Sequence, residues 1–165
     1  MNMQVSKFRP CLWYVDNAEE AANFYVSIFK NSRIKHVARY SKEVSVVAGQ
    51  PEGSVLFVMF ELEGQEFLAL NGRPQFTFND SISFMVDCKD QNEVDELWEK
   101  LSAGGAKSQC GWLKDKFGLS WQIVPTILGE YITHKDPEVT SRAMQAILPM
   151  SKIDIATVKR AVEGK

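Results

Sequence analysis

Cysteine and histidine, the side chains most used in nucleophilic and metal chemistry, are few in this sequence. Three cysteines, Cys11, Cys88 and Cys110, form an odd number in no metal-like spacing. They read as buried free thiols. Cys110, beside Gly111, could act as a nucleophile, but neither a neighbouring His nor a helix N-terminus stands by to lower its pKa. The only histidines are His36 and His134. Asp115 could serve as an acid or base. It lies in Asp115-Lys116-Phe117-Gly118, a turn between two strands, where an aspartate is ordinarily structural. Asn71, before Gly72-Arg73-Pro74, either hydrogen-bonds a ligand or caps a turn. Trp112 precedes the 115–118 turn, where an aromatic lines the mouth of a cleft or packs a hairpin.

The elements that must position these residues occur twice. Asn17-Ala18-Glu19-Glu20 and Asp90-Gln91-Asn92-Glu93 both resemble capping boxes, 73 positions apart. Each opens an apolar stripe at i, i+3, i+4, i+7: Ala21, Phe24, Tyr25, Ile28, and then Val94, Leu97, Trp98, Leu101. A strand-length apolar run precedes each cap, Cys11 to Val15 and Ile82 to Val86. Strand-like stretches follow in both halves: Ile34 to Tyr40, Ser54 to Leu62 and Glu66 to Leu70, then Lys107 to Leu113 and Leu119 to Val124. Gly49 to Gly53 reads as a loop. The plan is a βαβββ unit used twice, an α+β fold spanning residues 7–125 with units of about 7–71 and 80–125. Each helix covers one face of its sheet, and the other faces can curl to enclose a small-molecule cleft. Residues 126–165 turn helical, with starts at Asp136-Pro137-Glu138 and Ser151 to Asp154. The stripes of this appendage need a surface in the same chain or in a partner chain.

Composition narrows the function. The chain has 165 residues, 45% hydrophobic and 24% charged, with a net charge of -2. That fits one globular domain, or two small halves sharing a core, and argues against nucleic acid or an anionic membrane as partner. No apolar run reaches the roughly 18 residues of a membrane span. Met1 to Pro10 lacks the apolar stretch of a secretory signal, so a cytoplasmic location is expected.

Gly111 to Ile123, with Asn17 to Tyr25 and Asn71-Gly72, resembles the vicinal-oxygen-chelate superfamily of glyoxalases, bleomycin-resistance proteins, fosfomycin-resistance enzymes and extradiol dioxygenases. Within it the chain is most similar to the PhnB-like group, often labelled demethylubiquinone methyltransferase. The resemblance implies paired βαβββ units, often across chains, and hence a homodimer. It also implies a divalent metal held by His and Glu on four strands. Those positions fall near Phe8 or Pro10, near Ala69 or Asn71, at or within a residue of Ser81, and at Gln122. None is His, Asp or Glu, so no bound metal is expected. A methyltransferase commonly holds S-adenosylmethionine with a glycine-rich loop between strand and helix. No Gly-x-Gly-x-Gly or Gly-x-Gly-x-x-Gly occurs, and Gly104-Gly105 follows a helix; no cofactor is expected.

Gln122 takes a ligand position in this mapping and faces either a cleft or solvent. Trp121 and Ile123 alternate with it and should face the helix. Trp13 and Tyr14 face opposite ways, and Tyr14, sharing a face with Pro10, is expected in the cleft. The candidate ligand-binding residues are therefore Tyr14, Asn71, Ser81, Trp112 and Gln122. The expected function is binding of a small, partly apolar molecule without the usual metal. The alternative is an enzyme of unknown reaction in the same cleft.

Overall fold

The computed structural model describes residues 7–164. Residues 1–6, part of the stretch read for a secretory signal, and Lys165, the end of the helical appendage, lie outside it. The chain divides into two compact units, Met1–Thr77 and Phe78–Lys165.

In the first unit, strand β1 (Cys11–Tyr14) leads into helix α1 (Ala18–Ile28). Strands β2 (Arg33–Arg39), β3 (Val55–Leu62) and β4 (Gln65–Asn71) follow, with helix α2 (Lys42–Ala48) between β2 and β3. The sheet order is β1-β4-β3-β2, with β1 parallel to β4 and the other pairs antiparallel. Helix α1 buries Ala18, Ala21, Ala22, Tyr25 and Ile28. The alanines let it lie close, while Tyr25 stacks on Phe60 and Phe60 on Phe67, with ring centroids 6.1 and 5.2 Å apart. The cap at Asn17 is not made by its own side chain. Asn71, at the end of β4, supplies the bond instead: its Oδ1 accepts from the Ala18 N–H at 2.9 Å. Helix α2 replaces part of the expected connection. Ser41 caps it and Gly49, at φ 66°, ends it.

The second unit repeats the plan. Strand β5 (Ser83–Cys88) precedes helix α3 (Gln91–Ser102), then strands β6 (Ala106–Lys107), β7 (Trp112–Lys114) and β8 (Ser120–Pro125). The order β5-β8-β7-β6 reproduces that of the first sheet, again with first and last strands parallel. Here a variant of the capping box forms: Asp90 accepts from the Glu93 N–H at 2.9 Å, and Glu93 reaches past the cap to accept from the Lys89 N–H at 2.8 Å. Val94, Leu97, Trp98 and Leu101 are all buried. The expected strand over Lys107 to Leu113 is broken in two, because Cys110 and Gly111 adopt φ 56° and 79° and leave the sheet.

The chain ends in α4 (Ile127–Ile132), α5 (Pro137–Ile147) and α6 (Ile155–Val162). Helix α4 is additional to the sequence expectation. Asp136 and Asp154 cap α5 and α6, accepting from the N–H groups of Glu138 and Thr157. The apolar stripes find their surface within the same unit: Leu128, Ala143, Ile147, Ile153 and Val158 form a buried cluster against Cys110, Val124 and Ile127. Main-chain bonds lock this cluster to the β6–β7 connection. The Cys110 N–H donates to Met150 O at 2.7 Å and the Gly111 N–H to Ser151 O at 2.8 Å. Gln91 on α3 clasps the segment from the other side, donating to Ile153 O and accepting from the Ile155 N–H.

Candidate functional site

Each sheet has one face packed under its helix and one turned away, and strand alternation decides which side chains reach the far face. In the first unit the helix side takes Leu12 and Tyr14 from β1, in register with Ala69 and Asn71 on β4. Tyr14 is buried, and its hydroxyl shares a 3.2 Å hydrogen bond with that of Tyr25 on α1. Asn71 is also buried; besides capping α1, it donates from Nδ2 to Val55 O at 3.1 Å. The expectation that Tyr14 faces a cleft is corrected here; Asn71, expected as a ligand or turn-capping residue, borders a concavity at the end of β4. Both lie on the helix side, and Asn71 has committed both ends of its amide to the backbone. The far face receives Cys11 and Trp13 from β1, with Leu68 and Leu70 on β4 and Phe57 and Met59 on β3 in register.

That face carries charge at one end. Glu66 is bridged by Lys35, with Arg9 at 3.9 Å, and Glu61 pairs with Arg33 at 3.2 Å. The Lys35 hydrogen bond holds the Glu66 carboxyl below the usual carboxylate range. Glu66 is therefore the ionised member of an ion-pair cluster, unsuited to proton donation near neutral pH.

In the second unit, Trp121 and Ile123 are buried on the helix side, as alternation predicts. Gln122 emerges on the far face, half-buried, between Met85 on β5 and Trp112 on β7. Its Nε2 donates to Ser83 Oγ at 2.8 Å. The structure thus brings Gln122 and Trp112 together. Ser81 stands apart: it is exposed, ahead of β5, and its N–H donates to Asn79 Oδ1. The sequence reading missed Ser83 and Met85, which only the parallel β5–β8 register places beside Gln122. Beside this row lies a concavity of about 530 Å³, lined by Asp80, Ala106, Ser108, Trp112 and Lys114 among others. Asp80 accepts from Ser120 Oγ at 2.7 Å and pairs with Lys114 at 3.1 Å; the serine bond first, and then the lysine, lower its pKa.

Of the three cysteines read as buried thiols, only Cys88 is buried; Cys11 is exposed and Cys110 half-buried. Asp115 is 2% exposed. Its Oδ1 accepts from the N–H groups of Phe117 and Leu119, and its Oδ2 from Trp121 Nε1 at 2.8 Å. Burial, and then the carboxylates of Glu93, Asp87 and Asp90, push the Cys88 thiol up to about 12. Because the thiolate is the nucleophile, iodoacetamide at pH 8 should alkylate Cys88 at least about a hundredfold more slowly in the native protein than in the urea-unfolded chain. Peptide mass spectrometry of both states over time reads the difference, and equal labelling would contradict it.

The repeated unit and its sheet order place the chain among known folds. The profile of the 3-demethylubiquinone-9 3-methyltransferase family matches residues 6–124. A PhnB protein from Bacillus cereus, described under the same methyltransferase heading, is 34% identical. The likeness covers 73% of this chain and 100% of that one, with a TM-score of 0.66. The chain belongs to this PhnB-like family of the vicinal-oxygen-chelate superfamily. Two further structures share the fold at lower identity. Protein PA1353 from Pseudomonas aeruginosa is 15% identical, with a TM-score of 0.59 over 73% of this chain and 98% of that one. The fosfomycin resistance protein FosX from Listeria monocytogenes is 19% identical, with a TM-score of 0.54 over 81% and 100%. No curated protein matches the chain.

Two groups implied by the superfamily and by the family's heading can be tested against this PhnB-like chain. A divalent ion requires converging imidazole, carboxylate or thiolate donors. The far face around Gln122 offers an amide, the Ser83 hydroxyl and a thioether. Among the described residues, no three His, Cys, Asp or Glu side chains are placed to hold a metal ion. This donor set does not fit a divalent transition metal. S-adenosylmethionine in a glycine-rich strand-to-helix turn fits no better. The β1–α1 and β5–α3 junctions are Val15-Asp16-Asn17 and Lys89-Asp90, without a glycine in either.

Proposed function

We propose that this PhnB-like protein binds a small, partly apolar molecule on the far face of its second sheet, without a resident metal. The observation that carries this reading is the row Met85–Gln122–Trp112. It sets one neutral amide, held in orientation by Ser83, between a thioether and an indole. Such a row suits a ligand with one polar edge and an apolar body. Ligand-induced thermal shifts across a panel of small ketones, amides and phenols test it. Binders from the panel should lose about tenfold in affinity in Gln122→Ala, the worth of one oriented hydrogen bond. Elemental analysis of the purified protein should find no stoichiometric divalent ion. A stoichiometric ion that is lost in Gln122→Ala would overturn the reading.

The same proposal includes a homodimer. β5 is an edge strand, and Ile82 just before it and Met85 within it are 71% and 59% exposed. An apolar edge of this kind is ordinarily covered. Light scattering at micromolar concentration should return twice the chain mass, and a monomer would refute this part of the proposal.

A further inference from the structure

We infer that the first unit carries a small-molecule site of its own, one that takes a small aromatic carboxylate. A concavity of about 380 Å³ opens where β1 and β4 end and α2 finishes; its lining includes Trp13, Leu70, Tyr40, Gln50, Arg73 and Gln75. That volume is at the lower end of ligand sites, which span about 300–1,000 Å³, and suits a single ring.

Its apolar wall is fixed in place. The Trp13 indole lies against Gly72 so closely that a Cβ there would fall 2.1 Å from the ring. Its Nε1 donates to Arg73 O at 3.1 Å, and Phe76 meets the ring edge-on at 5.2 Å. The Arg73 carbonyl also accepts from the Gln75 N–H, so the rim loop is pinned to the wall it borders.

The polar side is built but unspent. Tyr40 is 7% exposed, and among the described residues its hydroxyl has no hydrogen-bond partner. Among the described residues, no fully buried side-chain oxygen or nitrogen lacks a partner. The Tyr40 hydroxyl is therefore one that meets open space, and the concavity is the space its residue lines. A tyrosine held nine-tenths inside the fold with its one polar atom unused is arranged for a partner from outside. The half-buried Gln50 amide is likewise unpaired among the described residues, and the exposed Arg73 guanidinium has no ion pair there. The guanidinium fork matches a carboxylate bidentately, and no acidic side chain lines the concavity to oppose it. Indole and leucine on one side, a fork and a phenol on the other, select a flat ring bearing an anionic group.

The test uses benzoate as the probe, with benzamide as its uncharged isostere, titrated into the full chain by calorimetry and ligand-observed NMR. Benzoate should saturate at millimolar concentration, with benzamide at least about fivefold weaker. Arg73→Gln should weaken benzoate about tenfold or more, and Tyr40→Phe about three- to tenfold. Because the hydroxyl has no protein partner, Tyr40→Phe should leave the melting temperature unchanged. Gln122→Ala should leave benzoate binding intact, which separates this site from the one proposed in the second unit. Absence of saturable binding, equal affinity for benzamide, indifference to both first-unit substitutions, or a fall in melting temperature in Tyr40→Phe would each overturn the inference. So would loss of benzoate binding in Gln122→Ala.

Discussion

Gly111→Ala is expected to destabilise the second unit by about 3 kcal/mol or more. Two costs add. At φ 79° an L-residue pays about 1–2 kcal/mol for the left-handed conformation. The new Cβ would also stand 2.6 Å from the carbonyl oxygen of Ile123 and 3.1 Å from Ile153 Cδ1. The first neighbour is backbone and cannot swing away. Ile123 is tied to Gly111 by its own N–H, which donates to Gly111 O at 2.8 Å. Relief therefore requires opening β8 from the β6–β7 connection or lifting Ile153 and the helical cluster with it. Gly118→Ala is the control. Its φ is 86°, but nothing lies within 4 Å of the added methyl, so only the backbone cost of about 1–2 kcal/mol remains. Urea denaturation of both variants separates the two costs; equal losses would show that the close approach contributes nothing.

Asp115→Ala should cost about 3 kcal/mol, or a fall in melting temperature of about 6–12 °C for a chain of this size. The carboxylate is buried and accepts three hydrogen bonds, from the N–H groups of Phe117 and Leu119 and from Trp121 Nε1. Alanine removes the acceptor and leaves the indole N–H without its partner inside the fold. Asp115→Asn is the sharper probe. An amide oxygen can still accept from the two turn N–H groups, but its NH₂ would face the indole N–H, donor against donor. The asparagine variant should therefore lose about half as much, with a changed Trp121 near-ultraviolet signal. A loss below about 1 kcal/mol for alanine would show that the turn does not depend on this carboxylate. The turn also sets β7 beside β8 and so sets Trp112 beside Gln122.

The duplicated plan was legible because its signals are local. Asp90, Asp136 and Asp154 cap the helices that follow them within three residues, and each bond is visible in the sequence spacing. The failures share a different character. Asn17 has the right type and place for a cap, yet the bond comes from Asn71 on another strand. Helix α2 is bracketed by readable signals, Ser41 and Gly49, but Val44, Val46 and Val47 are exposed and show no buried stripe. Alternation correctly says that Trp13 and Tyr14 diverge, but not which face α1 covers. That depends on the β1–β4 register, a long-range property, and it reversed the expected placement of Tyr14. The helix-side placement of Trp121 and Ile123 was legible because both are too bulky and apolar for any place but the core.

The terminal helices end up bonded to the bend between β6 and β7 and not to some remote surface. They act as a splint on a strand of only three residues. Cutting the chain after Pro125 would strip the splint away, bare the greasy flank formed by Cys110 and Val124, and leave the indole of Trp112 on a loosened hinge. The three terminal helices are part of how the second sheet keeps its shape.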